Sequence, residues 1–206
     1  MKFRLLLLLI LFQFSVRGQD EALLKTQVRH TIDELVQFIA IPNDALEHAD
    51  INRNLTWLTR AFSERGFNTS ILPTEEESLF FAALPMEDGK PTLLWYMHFD
   101  GQSVDPSQWD QPDPYKVVLK APSGEGWETR PMSELSDDIP YDWRLFGRSV
   151  SDDKGPIIMM LNAIDLLKKQ GTSLPYNIKV ILDGQEERSS KPLPKAVETY
   201  RELLQA

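Results

Sequence analysis

The sequence predicts an α/β fold, and three features carry that prediction. Two continuous apolar runs, 92–97 and 176–182, read as strands buried inside a parallel sheet. Apolar residues recur at helical spacing between and around them. Helices alternating with buried strands indicate a mixed α/β sheet. With 206 residues, the chain is long enough for one domain with a real core.

The elements follow in order. Leu24, Val28, Ile32, Leu35 and Ile39 form a first helical stripe, and Pro42 ends it. Ile51, Leu55, Leu58 and Phe62 form a second stripe, with Asn43 and Asp44 as capping candidates and Gly66 as its stop. Short strand-like runs occupy 69–72 and 79–84, before the apolar strand 92–97. From 101 to 142 the pattern breaks into Pro, Asp and Trp, including Trp109, Pro112, Pro114, Pro122, Trp127 and Pro131. We read this as a long ordered loop over the sheet edge. Leu145-Phe146 is a short strand, and Pro156 suits the first turn of a helix running to Lys169. That helix is apolar all round over 157–161, so it should be buried, and Gly171 stops it. After strand 176–182, Leu193, Val197, Tyr200 and Leu204 stripe a final amphipathic helix.

The first 18 residues read as a secretory signal: Lys2 and Arg4, an apolar core over 5–12, then small residues near Gly18. Eight apolar residues are too few to span a bilayer, which takes ~20. The expectation is a secreted protein whose main domain covers 19–206. Residues 1–18 carry +3 (Lys2, Arg4, Arg17) within a net charge of −9, so the remainder carries −12. That acidity argues against nucleic acid or an anionic membrane as partner. The chain has no cysteine, so disulfides contribute nothing. Asn54 and Asn68 begin glycosylation tripeptides; Asn54 falls in the second helix, which favours Asn68.

Three stretches end apolar runs with metal-binding or acid–base side chains: His98-Phe99-Asp100, Asp152-Asp153-Lys154-Gly155 and Glu186-Glu187. In an open α/β sheet, ligands bind beyond the carboxyl ends of the strands. Imidazole with carboxylates is a ligand set for zinc or manganese. Asp100, two residues beyond His98 on the same side of an extended chain, is placed to orient the ring. Adjacent glutamates point in different directions, so one can ligate while the other acts as a base. Each stretch also has a plainer reading: a structural histidine, a helix cap, a solvated charge pair. Their order, spacing and shared strand-end position favour a site. Lys154-Gly155 lacks the Gly-rich loop of a phosphate site.

These motifs resemble the dinuclear zinc metallopeptidases and amidohydrolases that include carboxypeptidase G, carnosine dipeptidases, aminoacylase and succinyl-diaminopimelate desuccinylase. The matching residues are His98-Phe99-Asp100, Gly147-Arg148-Ser149 with Asp152-Asp153-Lys154-Gly155, and Glu186-Glu187-Arg188-Ser189-Ser190. The resemblance implies a three-layer α/β/α catalytic domain and two zinc ions, with manganese or cobalt as other options. It makes His98 a ligand of one zinc, oriented by Asp100, and Asp152 the bridge between the two. Glu186 becomes the general base and Glu187 a ligand of the second zinc. Asp153 falls on a variable position, and Ser189 replaces a common glycine. The implied substrate is a small peptide or N-acyl amino acid.

The resemblance also implies parts that this sequence does not show: a second aspartate ligand, a late histidine ligand, a lid and dimerisation domain, and C-terminal strands. No Asp or His follows Glu187. The expectation is the N-terminal part of such a hydrolase, with an incomplete site and little or no activity. The alternative is a non-catalytic secreted protein that binds metal weakly, or pairs with itself or a longer homologue. A further alternative is a plain α/β binding domain with structural acidic loops.

Overall fold

The structure, a computed structural model, describes residues 21–135 and 139–206. The signal reading at 1–18 lies outside the described residues.

Helix α1 covers Glu21–Ile39, α2 His48–Ser63 and α3 Lys154–Lys169. Strands β1 (Asn68–Leu72), β2 (Leu79–Ala83), β3 (Thr92–His98) and β7 (Asn177–Asp183) form one sheet in the order β1-β2-β7-β3. β1, β2 and β7 pair antiparallel; β7 and β3 pair parallel. Side-chain alternation then sorts the core. Phe80, Ala82, Val180 and Leu182 join Phe38, Ile51, Leu58, Phe62, Ile157 and Leu161 of the three long helices. Leu79, Phe81 and Ile181 point the other way, onto Ala196 and Leu204. These last two belong to α4 (Leu193–Thr199) and α5 (Arg201–Leu204). The result is the three-layer α/β/α arrangement expected from the sequence. Each fully buried Leu, Ile or Phe contributes ~1.5–3 kcal/mol of transfer free energy to it.

Several elements differ from the sequence reading. The stretch 101–142 is not a plain loop. It contains β4 (Val118–Ser123) and β5 (Gly126–Arg130), which form a second sheet with β6 (Arg144–Phe146), in the order β5-β4-β6. Gly124, at φ +58°, makes the β4–β5 turn. Trp127 packs edge-to-face on Phe146 with ring centroids 5.3 Å apart, so aromatics that read as loop residues are cross-strand contacts. Strand β3 is parallel, as expected, but it lies at the sheet edge, with Leu93, Trp95 and Tyr96 exposed.

Helix α1 buries Leu35 and Ile39 of its predicted stripe but departs from it near its start. Val28 is exposed, and Gln27 is buried instead because it hydrogen-bonds Asn162 (2.6 Å) and Lys169 (2.7 Å) across the contact with α3. Asn43 and Asp44 do not cap α2, which opens after Glu47 without a side-chain cap. Met159 is exposed, so α3 is not buried all round. The final stripe breaks at Tyr200 into α4 and α5, and Val197 is exposed. Asn54 is fully buried, its amide nitrogen donating to Pro42 O and Asp50 O at 2.8 Å each. That leaves it closed to a glycan in the folded chain, whereas Asn68 is exposed. Among the described residues, no helix is long and apolar enough to cross a membrane.

Candidate metal centre

The parallel pairing of β3 and β7 builds the site. Its register sets His98 beside Asp183, so both strands deliver their next residues to the same sheet edge. Phe99 N donates to Asp183 O at 2.9 Å and continues the pairing one step into the loops. His98 is thereby buried at a strand end, with its ring between two carboxylates. Nδ1 lies 3.2 Å from Asp100 Oδ1, and Nε2 lies 2.7 Å from Asp152 Oδ1. Burial favours the neutral ring, but the hydrogen bonds and charges of Asp100 and Asp152, with Asp153 nearby, outweigh it. The His98 pKa is pushed up to about 9.

Asp100 is fully buried and does more than face the histidine. Its Oδ1 accepts Glu186 N–H and its Oδ2 accepts Glu187 N–H, both at 3.0 Å. One carboxylate thus aims the imidazole and clips the single turn of 3₁₀ helix Glu186–Arg188 beneath it. Glu186 Oε2 stands 3.9 Å from His98 Nε2. The Glu187 carboxylate instead receives Gln102 Nε2 at 2.9 Å.

The loop carrying Asp152 is held from behind. Lys154 is fully buried, and its Nζ donates to Phe38 O (2.9 Å) and Ile41 O (2.7 Å) at the C-terminal end of α1. Burial drives its pKa well below the usual lysine range. A Cβ on Gly155 would stand 1.9 Å from Val150 O, so only glycine lets the loop close there. Asp153 turns inward, and its Oδ2 accepts His98 N–H at 3.3 Å. Asp152 points outward and is largely exposed.

The structure therefore gathers His98, Asp100, Asp152 and Glu186 within a few ångströms, and ties Glu187 to them through its backbone. His30 pairs with Asn162 and His48 with Glu77, both away from this cluster. The sequence reading named Lys154 and Gly155 without giving them a role, and it missed Gln102 and Asn43 as parts of the surroundings. The Asp-Asp-Lys-Gly motif contained the first two, but nothing local signals the others.

The donor set fits a divalent cation. An imidazole nitrogen held from behind by a carboxylate, with further carboxylates in front, is the chemistry zinc and its neighbours take. Among the described residues, however, no three His, Asp or Glu side chains are grouped closely enough to hold an ion by themselves.

An α/β/α domain with an imidazole–carboxylate cluster at the ends of its parallel strands is the class that fold and site define. The chain belongs to the Peptidase family M20/M25/M40, whose model matches residues 94–205. It is 34% identical over 119 residues to the Beta-Ala-His dipeptidase of Mus musculus, covering 58% of this chain and 20% of that protein. It is 24% identical over 187 residues to a Cys-Gly metallodipeptidase of Saccharomyces cerevisiae, covering 84% of this chain and 35% of that one. Its fold resembles the crystal structure of human carnosine dipeptidase 1 at a TM-score of 0.67 and 22% identity, over 87% of this chain and 37% of that one. The chain thus spans between a fifth and about two-fifths of the length of the relatives it matches.

Proposed function

We propose that residues 19–206 form the N-terminal portion of the catalytic domain of a secreted, metal-dependent peptidase acting on small peptides or N-acyl amino acids. Asp100 carries this reading: a buried carboxylate that bonds His98 Nδ1 and both the Glu186 and Glu187 amides directs three hydrogen bonds at the groups that would bind metal and move the proton. The family membership and the dipeptidase names of the relatives support the substrate class.

His98 and Asp152 would hold one zinc ion, and Asp152 and Glu187 a second. Bound there, zinc polarises a scissile carbonyl and lowers the pKa of water. Asp100 keeps the His98 ring in the orientation that presents Nε2. Glu186, half-exposed and close to Nε2, takes the proton from the attacking water and returns it to the leaving amine. For Glu187 to ligate, its carboxylate must exchange Gln102 for the ion, a side-chain rotation on a turn that Asp100 keeps in place.

Two protein donors per ion leave each weakly held, so the 206-residue chain alone hydrolyses little or nothing. The grouping of fewer than three donors among the described residues, together with the exposed β3 edge, favours a second reading, in which the chain binds metal weakly or pairs with a longer homologue. Zinc calorimetry on the metal-stripped chain, beside Asp152→Ala, tests both. Weak zinc binding lost in the variant, without β-alanyl-histidine or Cys-Gly hydrolysis, supports the partial site. Two tightly bound zinc ions and hydrolysis would show that the site completes itself. Zinc binding indifferent to Asp152 would refute the site.

A further inference from the structure

We propose that Asn43 is a positioning residue for the metal site. Its carboxamide sets the spacing between the His98–Asp100 strand end and the loop that carries Asp152. The proposal rests on the metal-site reading above and adds to it a residue that contacts no ligand group.

Asn43 lies in the linker between α1 and α2 and is fully buried. Its Nδ2 donates to Phe99 O at 2.6 Å and to Ser149 Oγ at 3.0 Å. Phe99 sits between His98 and Asp100, and Ser149 lies three residues before Asp152. One amide nitrogen therefore joins the two segments whose separation decides where His98 and Asp152 stand. The backbone of the same linker fastens itself to the first segment. Gly101 N donates to Asn43 O at 2.8 Å, Ala45 N donates to Gly101 O at 3.0 Å, and Asp44 makes a parallel bridge to Gly101.

The contact is closed to adjustment. A Cβ on Gly101 would stand 2.9 Å from Ser149 Oγ and 3.1 Å from Asn43 Nδ2, so the three groups are packed without slack. Ser149 holds a left-handed backbone, at φ 61°, which a side-chain-bearing residue rarely adopts without support. The hydrogen bond from Asn43 supplies that support where the chain turns toward α3. Phe99 O is an acceptor only, which fixes the amide with its nitrogen toward the site and leaves Oδ1 without a hydrogen-bond partner among the described residues.

The test uses the whole chain, stripped of metal, with zinc as the probe. Asn43→Asp keeps the shape and cannot donate from its carboxylate; Ser149→Ala removes one of the two bonds. Asp152→Ala is run alongside, and all are measured at a temperature where circular dichroism shows each folded. We expect Asn43→Asp to weaken zinc binding by ~10–100-fold, the usual cost of losing a group that orients ligands, and Ser149→Ala by a smaller factor. Amide exchange should quicken at 99–101 and 149–153 while β7 and the middle of α3 keep their protection. If both variants bind zinc as the wild type does, even with a lowered melting temperature, Asn43 is structural only and the proposal is overturned, while loss of binding in Asp152→Ala leaves the site standing. If Asp152→Ala also binds like wild type, the metal site and the proposal fall together. Should Asn43→Asp not fold, Ser149→Ala decides.

Discussion

The carboxylate of Asp100 receives the backbone N–H of Glu187 at 3.0 Å, joining residues 87 apart in the chain. The parallel β3–β7 pairing makes this contact possible, because it brings the two strand ends level. The same side chain holds the histidine ring. Ring and turn are therefore aimed by one group, and a change at Asp100 cannot disturb one without the other.

Asp100→Asn tests that coupling. The amide keeps the shape but replaces one acceptor with a donor facing an N–H. Zinc affinity should fall ~10–100-fold. Stability should fall by ~1–3 kcal/mol as a buried N–H loses its partner. Calorimetry and urea unfolding check both; loss of only one of the two would break the proposed link.

Gly155→Ala should be costly out of proportion to its size. The new methyl would stand 1.9 Å from Val150 O, a backbone atom that cannot step aside alone. The loop must shift, at ~1–3 kcal/mol. Because the shift moves Asp152, zinc affinity should fall as well. A variant with wild-type urea midpoint would show that the loop yields easily.

Tyr96 supplies a pH signature. Burial first, then the neighbouring Asp183 carboxylate, hold its pKa up to about 12, against the opposing hydrogen bond with Ser190. The folded-state value lies above the ordinary 10, so the associated stability is fully present below pH 10 and is lost as pH rises through 12. In absorbance at 295 nm, the difference between wild type and Tyr96→Phe should show a step near pH 12. A step near pH 10 would contradict the burial argument.

The β3 edge predicts association. Residues 92–97 include no charge and no proline, and Leu93, Trp95 and Tyr96 are exposed on it. Unguarded apolar edges pair with further strands. Sedimentation should show a larger species growing with concentration, formed by a second copy of the chain, and Trp95→Lys should reduce it. A concentration-independent monomer in the wild type would refute this.

Much of the architecture was legible because burial imposes periodicity. Ile51, Leu55, Leu58 and Phe62 face the core as their spacing requires, and the run at 176–182 falls on the interior strand β7, Asn177–Asp183. The second sheet was hidden because β5 is almost wholly exposed and β4 carries Lys120, Pro122 and Ser123, so no apolar alternation marks them. Val28 and Val197 misled for another reason. Their helices are oriented by polar contacts and by a break at Tyr200 that hydrophobic spacing does not encode.

For the site, the sequence by itself set out the candidate residues and their order: His98, Asp100, Asp152, Glu186 and Glu187, each beyond an apolar run. Local chemistry sufficed, because strand ends and side-chain types are properties of short segments. Only the tertiary structure decided which donors face one another, that Glu187 turns to Gln102, and that Asn43 and Lys154 brace the loops from behind. The Asn43–Phe99, Gln102–Glu187 and Phe38–Lys154 contacts join residues 56 to 116 positions apart. Packing between layers sets such distances, and no local pattern records them.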